Sequence, residues 1–182
     1  MDWVDIPDKE IIKGCLENNR RSQELLYRKY ATQMYHLCLA YAPREEAMDI
    51  LQEAFFKVFR KINQFQKNGS LAGWIRRVVT NTAIDHYRSN LKNGVQVELT
   101  DVHTHELNAQ PASEDIHYED LLKVVNHLPE SARMIFNLYA LEGFTHKEIA
   151  EKLEISIGTS KSQFSRARKI LSGYIEKYDL GD

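Results

Sequence analysis

The sequence predicts an all-α protein: two small helical domains joined by an acidic flexible linker, the second domain a helix-turn-helix. Three observations predict it. Apolar residues recur three and four apart along most of the chain; the recurrence lapses from about residue 93 to 113; and the last third holds two short helical patterns separated by a turn.

At 182 residues, 43% hydrophobic and 27% charged, the chain is long enough for one compact domain or two small ones, each with its own core. No apolar run approaches the roughly 18 residues of a membrane span. The opening MDWVDIPDKEIIKG is acidic and mixed, unlike a signal peptide, so a cytoplasmic location is expected. Cys15 and Cys38 lie in apolar helical patterns without C-x-x-C spacing, which reads as buried, reduced thiols.

The formal net charge of −2 hides a strong asymmetry. Residues 1–92 hold 15 Lys/Arg against 11 Asp/Glu, residues 93–125 hold 1 against 7, and residues 126–182 hold 8 against 8. A basic part and an acidic connector imply different partners along one chain, with nucleic acid the leading candidate for the basic surfaces.

In LLYRKYATQMYHLCLAY the positions Leu26, Tyr30, Met34, Leu37 and Tyr41 step by three and four; Leu51, Phe55, Val58 and Ile62 do the same in DILQEAFFKVFRKI. Both are amphipathic helices. Pro43 suits the first turn of the second, and the Asn-Gly pair in NQFQKNGS signals the turn that ends it. A third helix runs from Leu71 to about Asn90, with Leu71, Ile75, Val78, Thr82 and Tyr87 toward a core; the spacing of Trp74 with Leu71 and Val78 favours a core role for it over an outward stacking one. KNGVQVELTDVHTHELNAQPASED has no sustained period and reads as a linker. QVEL within it lacks a partner strand and is read as irregular. IHYEDLLKVVNHL is helical, and the next helix starts at Pro129 and ends at Gly143.

FTHKEIAEKLEISIGTSKSQFSRARKIL has the anatomy of a helix-turn-helix. Thr145 caps the first helix with Glu148 three residues on, and Ile149, Ala150 and Leu153 face inward. Residues 155–158 form the turn, and Thr159 is expected to cap the second helix, whose buried stripe is Ser160, Phe164, Ala167 and Leu171. Opposite lie Ser162, Ser165, Arg166 and Lys169, with Lys161 at the start. Arg and Lys donate to guanine edges or phosphates, Ser serves either, and small serines allow close approach, so this face suits a DNA major groove. The plainer reading is a solvated helix with an ordinary charge run.

The stretch LPESARMIFNLYALEGFTHKEIAEKLEISIGTSKSQFSRARKIL resembles the C-terminal promoter-binding domain of bacterial RNA polymerase sigma factors of the compact two-domain extracytoplasmic-function (ECF) group. AMDILQEAFFKVFRKINQF followed by GWIRRVVTNTAIDHYRS resembles the N-terminal sigma domain of the same group. The resemblance implies a domain of residues 1–92 for core polymerase binding and minus-ten recognition and melting, a linker at 93–114, and a domain of residues 115–182 for the minus-thirty-five element. It implies a transcription initiation factor, with core RNA polymerase and promoter DNA as partners, an anti-sigma factor as a further candidate, and no cofactor.

Residue by residue, Thr159, Lys161, Ser162, Ser165, Arg166 and Lys169 would meet the upstream element. Phe65, Lys67, Asn68 and Ser70 would capture a base flipped from the non-template strand, with Arg77, Asn81 and Arg88 on the adjoining helix face. Asp85, between the last two, is placed for an i, i+3 pair with Arg88. Asp49, Gln52, Glu53 and the outward Phe56 would meet the clamp helices of the polymerase large subunit. The acidic linker would thread basic channels of the polymerase, or serve as a tether. Two positions depart from the family: Glu154 replaces the usual turn glycine, which costs about 1 kcal/mol in a left-handed conformation and predicts a differently built turn. Ser160 replaces a β-branched apolar residue.

An enzyme is not expected. His103, His105 and His117 fall in or beside the irregular acidic stretch without H-E-x-x-H spacing or cysteine companions, which reads as solvated histidines, and no phosphate loop or nucleophile motif is present. The alternative function is a stand-alone helix-turn-helix regulator whose first half senses or dimerises.

Overall fold

A computed structural model describes residues 6–65, 69–92 and 124–179, with side chains to Tyr174. The 93–114 linker, QVEL, His103, His105 and His117 lie outside them. The described residues are helical, with no strand among them. The chain divides into two compact units, Met1–Tyr87 and Arg88–Asp182.

The first unit comprises α1 (Asp8–Leu16), α2 (Arg20–Tyr41), α3 (Arg44–Lys61), a 3-10 turn (Ile62–Gln64) and most of α4 (Leu71–Lys92). The predicted residues Leu26, Tyr30, Met34, Leu37 and Tyr41 of α2 and Leu51, Phe55, Val58 and Ile62 are all buried, and Cys38, Ala40, Ala47, Ile50 and Ala54 are buried beside them. Pro43 is the N-cap of α3, one residue outside the helix. On α4 the stripe is shifted. Val79 is fully buried where Val78 was expected, because the helix presents Ile75, Val79, Ala83 and Tyr87 at steps of four.

α1 is fastened to α2 by polar contacts as well as by Ile11, Ile12 and Cys15. Asp8 accepts from Tyr30 Oη at 2.8 Å and pairs with Lys29 Nζ at 2.9 Å, while Lys29 also donates to the Ile6 carbonyl at 2.9 Å. Burial pushes the Asp8 carboxyl up, but the hydrogen bonds from Lys29 and Tyr30 and the Lys29 charge prevail and hold it below its ordinary value. Burial likewise drives the free thiols up, Cys15 to about 11 and Cys38 to about 12, so both are protonated and unreactive at neutral pH. The helices approach closely at Gly14, where a Cβ would stand 2.6 Å from Ser22 Cβ.

The second unit comprises a helical turn at 124–126, α5 (Glu130–Phe136, continuing as a π-helical turn Asn137–Leu141), α6 (His146–Leu153) and α7 (Ile157–Asp179). Val125, Leu128 and Ala132 pack with Ala167 and Leu171 in one core, covered by Val124, Phe136 and Ile170. Two residues beyond the π turn, Gly143 with φ of +74° allows Phe144 N–H to reach back to the Leu138 carbonyl at 3.0 Å.

Two outcomes test this packing. Gly14→Ala is expected to lower stability by about 1–3 kcal/mol by forcing α1 from α2, read by urea unfolding. Asp8→Asn is expected to cost on the order of 1 kcal/mol near neutral pH, solvent screening included. Because the folded carboxyl titrates below the unfolded value of 3.8, that contribution is fully present above the unfolded pKa. It is lost as pH falls through the folded one, so wild type and variant converge in acid.

Candidate nucleic-acid interface

The frame of the helix-turn-helix is built by local closures. Thr145 Oγ1 accepts from Glu148 N at 3.2 Å and Glu148 Oε2 accepts from Thr145 N at 2.8 Å, the reciprocal cap that the sequence pattern predicts. The backbone N–H of Thr145, then its hydroxyl, holds the Glu148 carboxyl below its ordinary value. At the other end of α6, Glu154 stands at φ 56°, ψ 41° and Ile155 N–H donates to the Ala150 carbonyl at 3.1 Å. The turn is therefore built in the glycine manner, with glutamate in the left-handed region. The expectation of a differently built turn is corrected: the six-residue closure between Ile155 and Ala150 dictates the conformation whichever side chain occupies it.

The second cap is also corrected. α7 starts at Ile157, two residues before Thr159, and Ser156 caps it: Ser156 Oγ accepts from Thr159 N at 2.9 Å and shares a hydroxyl hydrogen bond with Thr159 Oγ1 at 2.9 Å. An S-x-x-T pattern carries that signal, because an N-cap serine satisfies the amide three residues on.

Ser160 is wholly buried, as predicted, and the structure explains why a polar residue is tolerated there. Its hydroxyl lies 2.9 Å from His146 Nδ1 at the start of α6. The His146 ring stacks on Tyr139 at 4.6 Å between centroids and meets Phe164 at 5.6 Å; Tyr139 and Phe164 stand 4.5 Å apart, and Phe164 also stacks on Phe136 at 6.0 Å. This cluster joins α5, α6 and α7. With Ala167 and Leu171 buried on the same side, it fixes the rotation of α7.

That rotation exposes Thr159, Lys161, Ser162, Ser165 and Lys169, with Arg166 half-buried along its stem. Thr159 is engaged in the cap, and the exposed Ser162 Oγ donates to the Thr159 carbonyl at 3.0 Å, so its hydroxyl is left to act as an acceptor. Among the described residues, Lys161, Arg166, Arg168 and Lys169 have no ion-pair partner. Arg168, exposed on the same helix, was absent from the sequence-derived set. Its signal was present: no Asp or Glu occurs between Glu154 and Glu176.

In the first unit the expected residues fall in two groups. Phe65 is half-buried, its ring 5.7 Å from that of Trp74, which is itself only half-buried, against the expected core position. Ser70 caps α4 by accepting from Gly73 N at 3.1 Å. Lys67 and Asn68 lie outside the described residues. Arg77 and Asn81 are exposed and Arg88 is half-buried. Asp85 pairs with Lys57 of α3 at 3.3 Å in place of the expected i, i+3 pair with Arg88, since α3 brings an ammonium to it across the helix interface.

On α3, Asp49, Gln52 and Glu53 are exposed, and Phe56 is 61% exposed with Arg60 over its ring at 5.6 Å. Glu53 is held by Lys57 at 2.8 Å. Burial alone would lower the Lys57 ammonium, but the hydrogen bonds and charges of Glu53 and Asp85 leave it above its ordinary value.

A rigid two-helix corner with an uncompensated cationic face defines a helix-turn-helix DNA-binding protein. Residues 26–92 match the family model for sigma-70 region 2, and residues 118–171 match that for sigma-70, region 4. The chain is 24% identical to the ECF RNA polymerase sigma-E factor of Haemophilus influenzae, over 94% of this chain and 96% of that protein. It is 22% identical to the ECF RNA polymerase sigma-E factor of Escherichia coli K12, over 94% and 95%. Among solved structures, the sigma factor RpoE in complex with the anti-sigma factor NepR from Bartonella quintana is similar with a TM-score of 0.49 and 23% identity, over 84% of this chain and 96% of that one. The chain belongs to the sigma-70 family, as an RNA polymerase sigma factor of the ECF type. The match over residues 26–92 assigns the first half to a sigma domain in place of a sensing or dimerising one. No helix among the described residues is long and apolar enough to cross a membrane.

The buried Ser160–His146 contact yields a double-mutant cycle. Ser160→Ala and His146→Ala are each expected to destabilise the second unit by about 1 kcal/mol, with the double variant costing clearly less than the sum. Additive losses in urea unfolding would show that the hydrogen bond does not couple the two helices.

Proposed function

We propose that this sigma factor binds core RNA polymerase through the Asp49, Gln52, Glu53 and Phe56 face of α3 and directs it to promoters read at two places. The upstream element meets Thr159, Lys161, Ser162, Ser165, Arg166 and Lys169. The minus-ten element meets Arg77, Asn81 and Arg88 of α4 together with Phe65, Lys67, Asn68 and Ser70. The observation that carries the reading is the cationic face of α7, held outward by a buried stripe and free of Asp and Glu from Ile157 to Ile175.

For the minus-ten element, melting needs an aromatic surface beside polar groups that can hold an unstacked base edge. The half-buried rings of Phe65 and Trp74 at 5.7 Å supply such a surface next to the Ser70 cap. Opening then draws on binding energy, catalysis stays with the polymerase, and the protein works in the cytoplasm beside it. Residues 1–92 form the first functional domain, 93–114 the connection and 115–182 the second.

The second domain carries little net charge, so its own affinity for DNA is low. Phosphate neutralisation supplies most non-specific binding, and joining two reading domains on one polymerase raises the effective concentration of each. An anti-sigma factor remains a candidate regulator of the same faces.

In reconstituted transcription, the chain is expected to confer start-site selection on core enzyme; if it selects no start site, the reading fails. Arg166→Ala is expected to weaken dependence on the upstream element about tenfold with core binding intact. Phe56→Ala is expected to weaken core binding by on the order of 2 kcal/mol, measured by competition for core, with the upstream preference of the remaining complex unchanged.

A further inference from the structure

Ile157 is 45% exposed at the start of α7, the one large apolar side chain so exposed among the described residues of that helix. The fully buried positions of α7 are Ser160, Ala167 and Leu171, and nearly half of Ile157 is left to solvent. It shares a flank with Lys161 and Arg168, at i+4 and i+11, both exposed and without ion-pair partners among the described residues. Arg166 stands on the other flank, and Ser162, Ser165 and Lys169 lie between. The cross-section is cationic at both edges, with Ser162, Ser165 and the further cation Lys169 between them, which suits a groove floor between two phosphate ridges.

Gly158 adds an independent observation. A Cβ at this position would meet nothing closer than Ser156 Oγ at 3.5 Å, an ordinary contact, and its φ lies outside the left-handed region. The fold therefore does not call for glycine there, although glycine in a helix costs about 0.5–1 kcal/mol relative to alanine. Its bare backbone leaves the first turn of α7 open beside Ile157, so that Ile157 can come within contact of a base edge. In the major groove, the apolar feature of a base edge is the C5-methyl group of thymine.

We propose that Ile157 is a specificity-determining residue that packs against a thymine methyl in the upstream promoter element, while Lys161 and Arg168 hold the same flank against phosphates. This rests on the reading of α7 as the upstream-element helix. Hydrogen bonding by the serines and cations selects other positions; Ile157 selects thymine over the other bases by methyl burial.

The test uses holoenzyme reconstituted from core polymerase and the full chain, with a promoter chosen by in vitro selection. Each upstream thymine on either strand is replaced in turn by uracil, which removes the methyl and keeps the pairing. Wild type is expected to lose about fourfold in promoter affinity at one position, the effect of burying one such carbon. Ile157→Ala is expected to bind thymine and uracil there equally, and exposure of Ile157 means that the variant folds. Uracil effects below twofold at every position, a selected element without thymine on either strand, or a uracil effect unchanged in Ile157→Ala each overturn the inference. A chain that selects no promoters overturns the underlying reading with it, whereas selection with indifference to uracil overturns this inference alone.

Discussion

The rotational setting of α7 is the constraint on which the second unit depends. Ser160, Ala167 and Leu171 share the buried side of α7, and once they are buried every other position on the helix has its direction assigned. A one-residue slip would bury a lysine or an arginine, at the large cost of an unpaired interior charge. The Ser160–His146 hydrogen bond and the aromatic cluster around Phe164 restrict the rotation further, because a hydroxyl and a ring nitrogen at 2.9 Å must meet directionally. The exposed cations are thus a consequence of how the other side packs.

The same economy governs the first unit. α2 and α3 bury a continuous apolar stripe, which leaves α3 free to show Asp49, Gln52, Glu53 and Phe56 on the far side. α4 is tied to α3 by the Lys57–Asp85 contact and by His86 near Glu46 at 3.5 Å. The exposed row on α4 is therefore set by contacts around the helix, as on α7. An exposed phenylalanine has no internal reason to be where it is, and its cation neighbour Arg60 covers only one face of the ring.

Helix ends show how backbone chemistry overrides residue preference. Asn18, Gly143 and Glu154 each adopt a positive φ at a helix terminus, where the following amide reaches back to a carbonyl in the last turn. Glycine and asparagine accept that conformation readily and glutamate does so at a cost of about 1 kcal/mol. The closing hydrogen bond and the need to bring α7 against α6 are worth more than the penalty. A departure from the family's glycine thus changes stability and leaves the geometry in place.

Local features were readable in the chain because they depend on neighbours a few residues apart. Helical periodicity placed most of the core of α2 and half of that of α3, and the Thr145–Glu148 pair announced the start of α6. The outward face of α7 followed from spacing alone, apart from Arg168. Errors gathered where a choice depended on another element: Val79 in place of Val78, Ser156 in place of Thr159 as cap, Asp85 with Lys57 in place of Arg88, and Trp74 half-exposed against Phe65. Each is settled by which surface a neighbouring helix offers, or by where the preceding turn releases the chain. The pairing of Ser160 with His146, fourteen residues away, belongs to the same class. A buried serine is an anomaly in a linear pattern and becomes intelligible only when folding brings an imidazole to its hydroxyl.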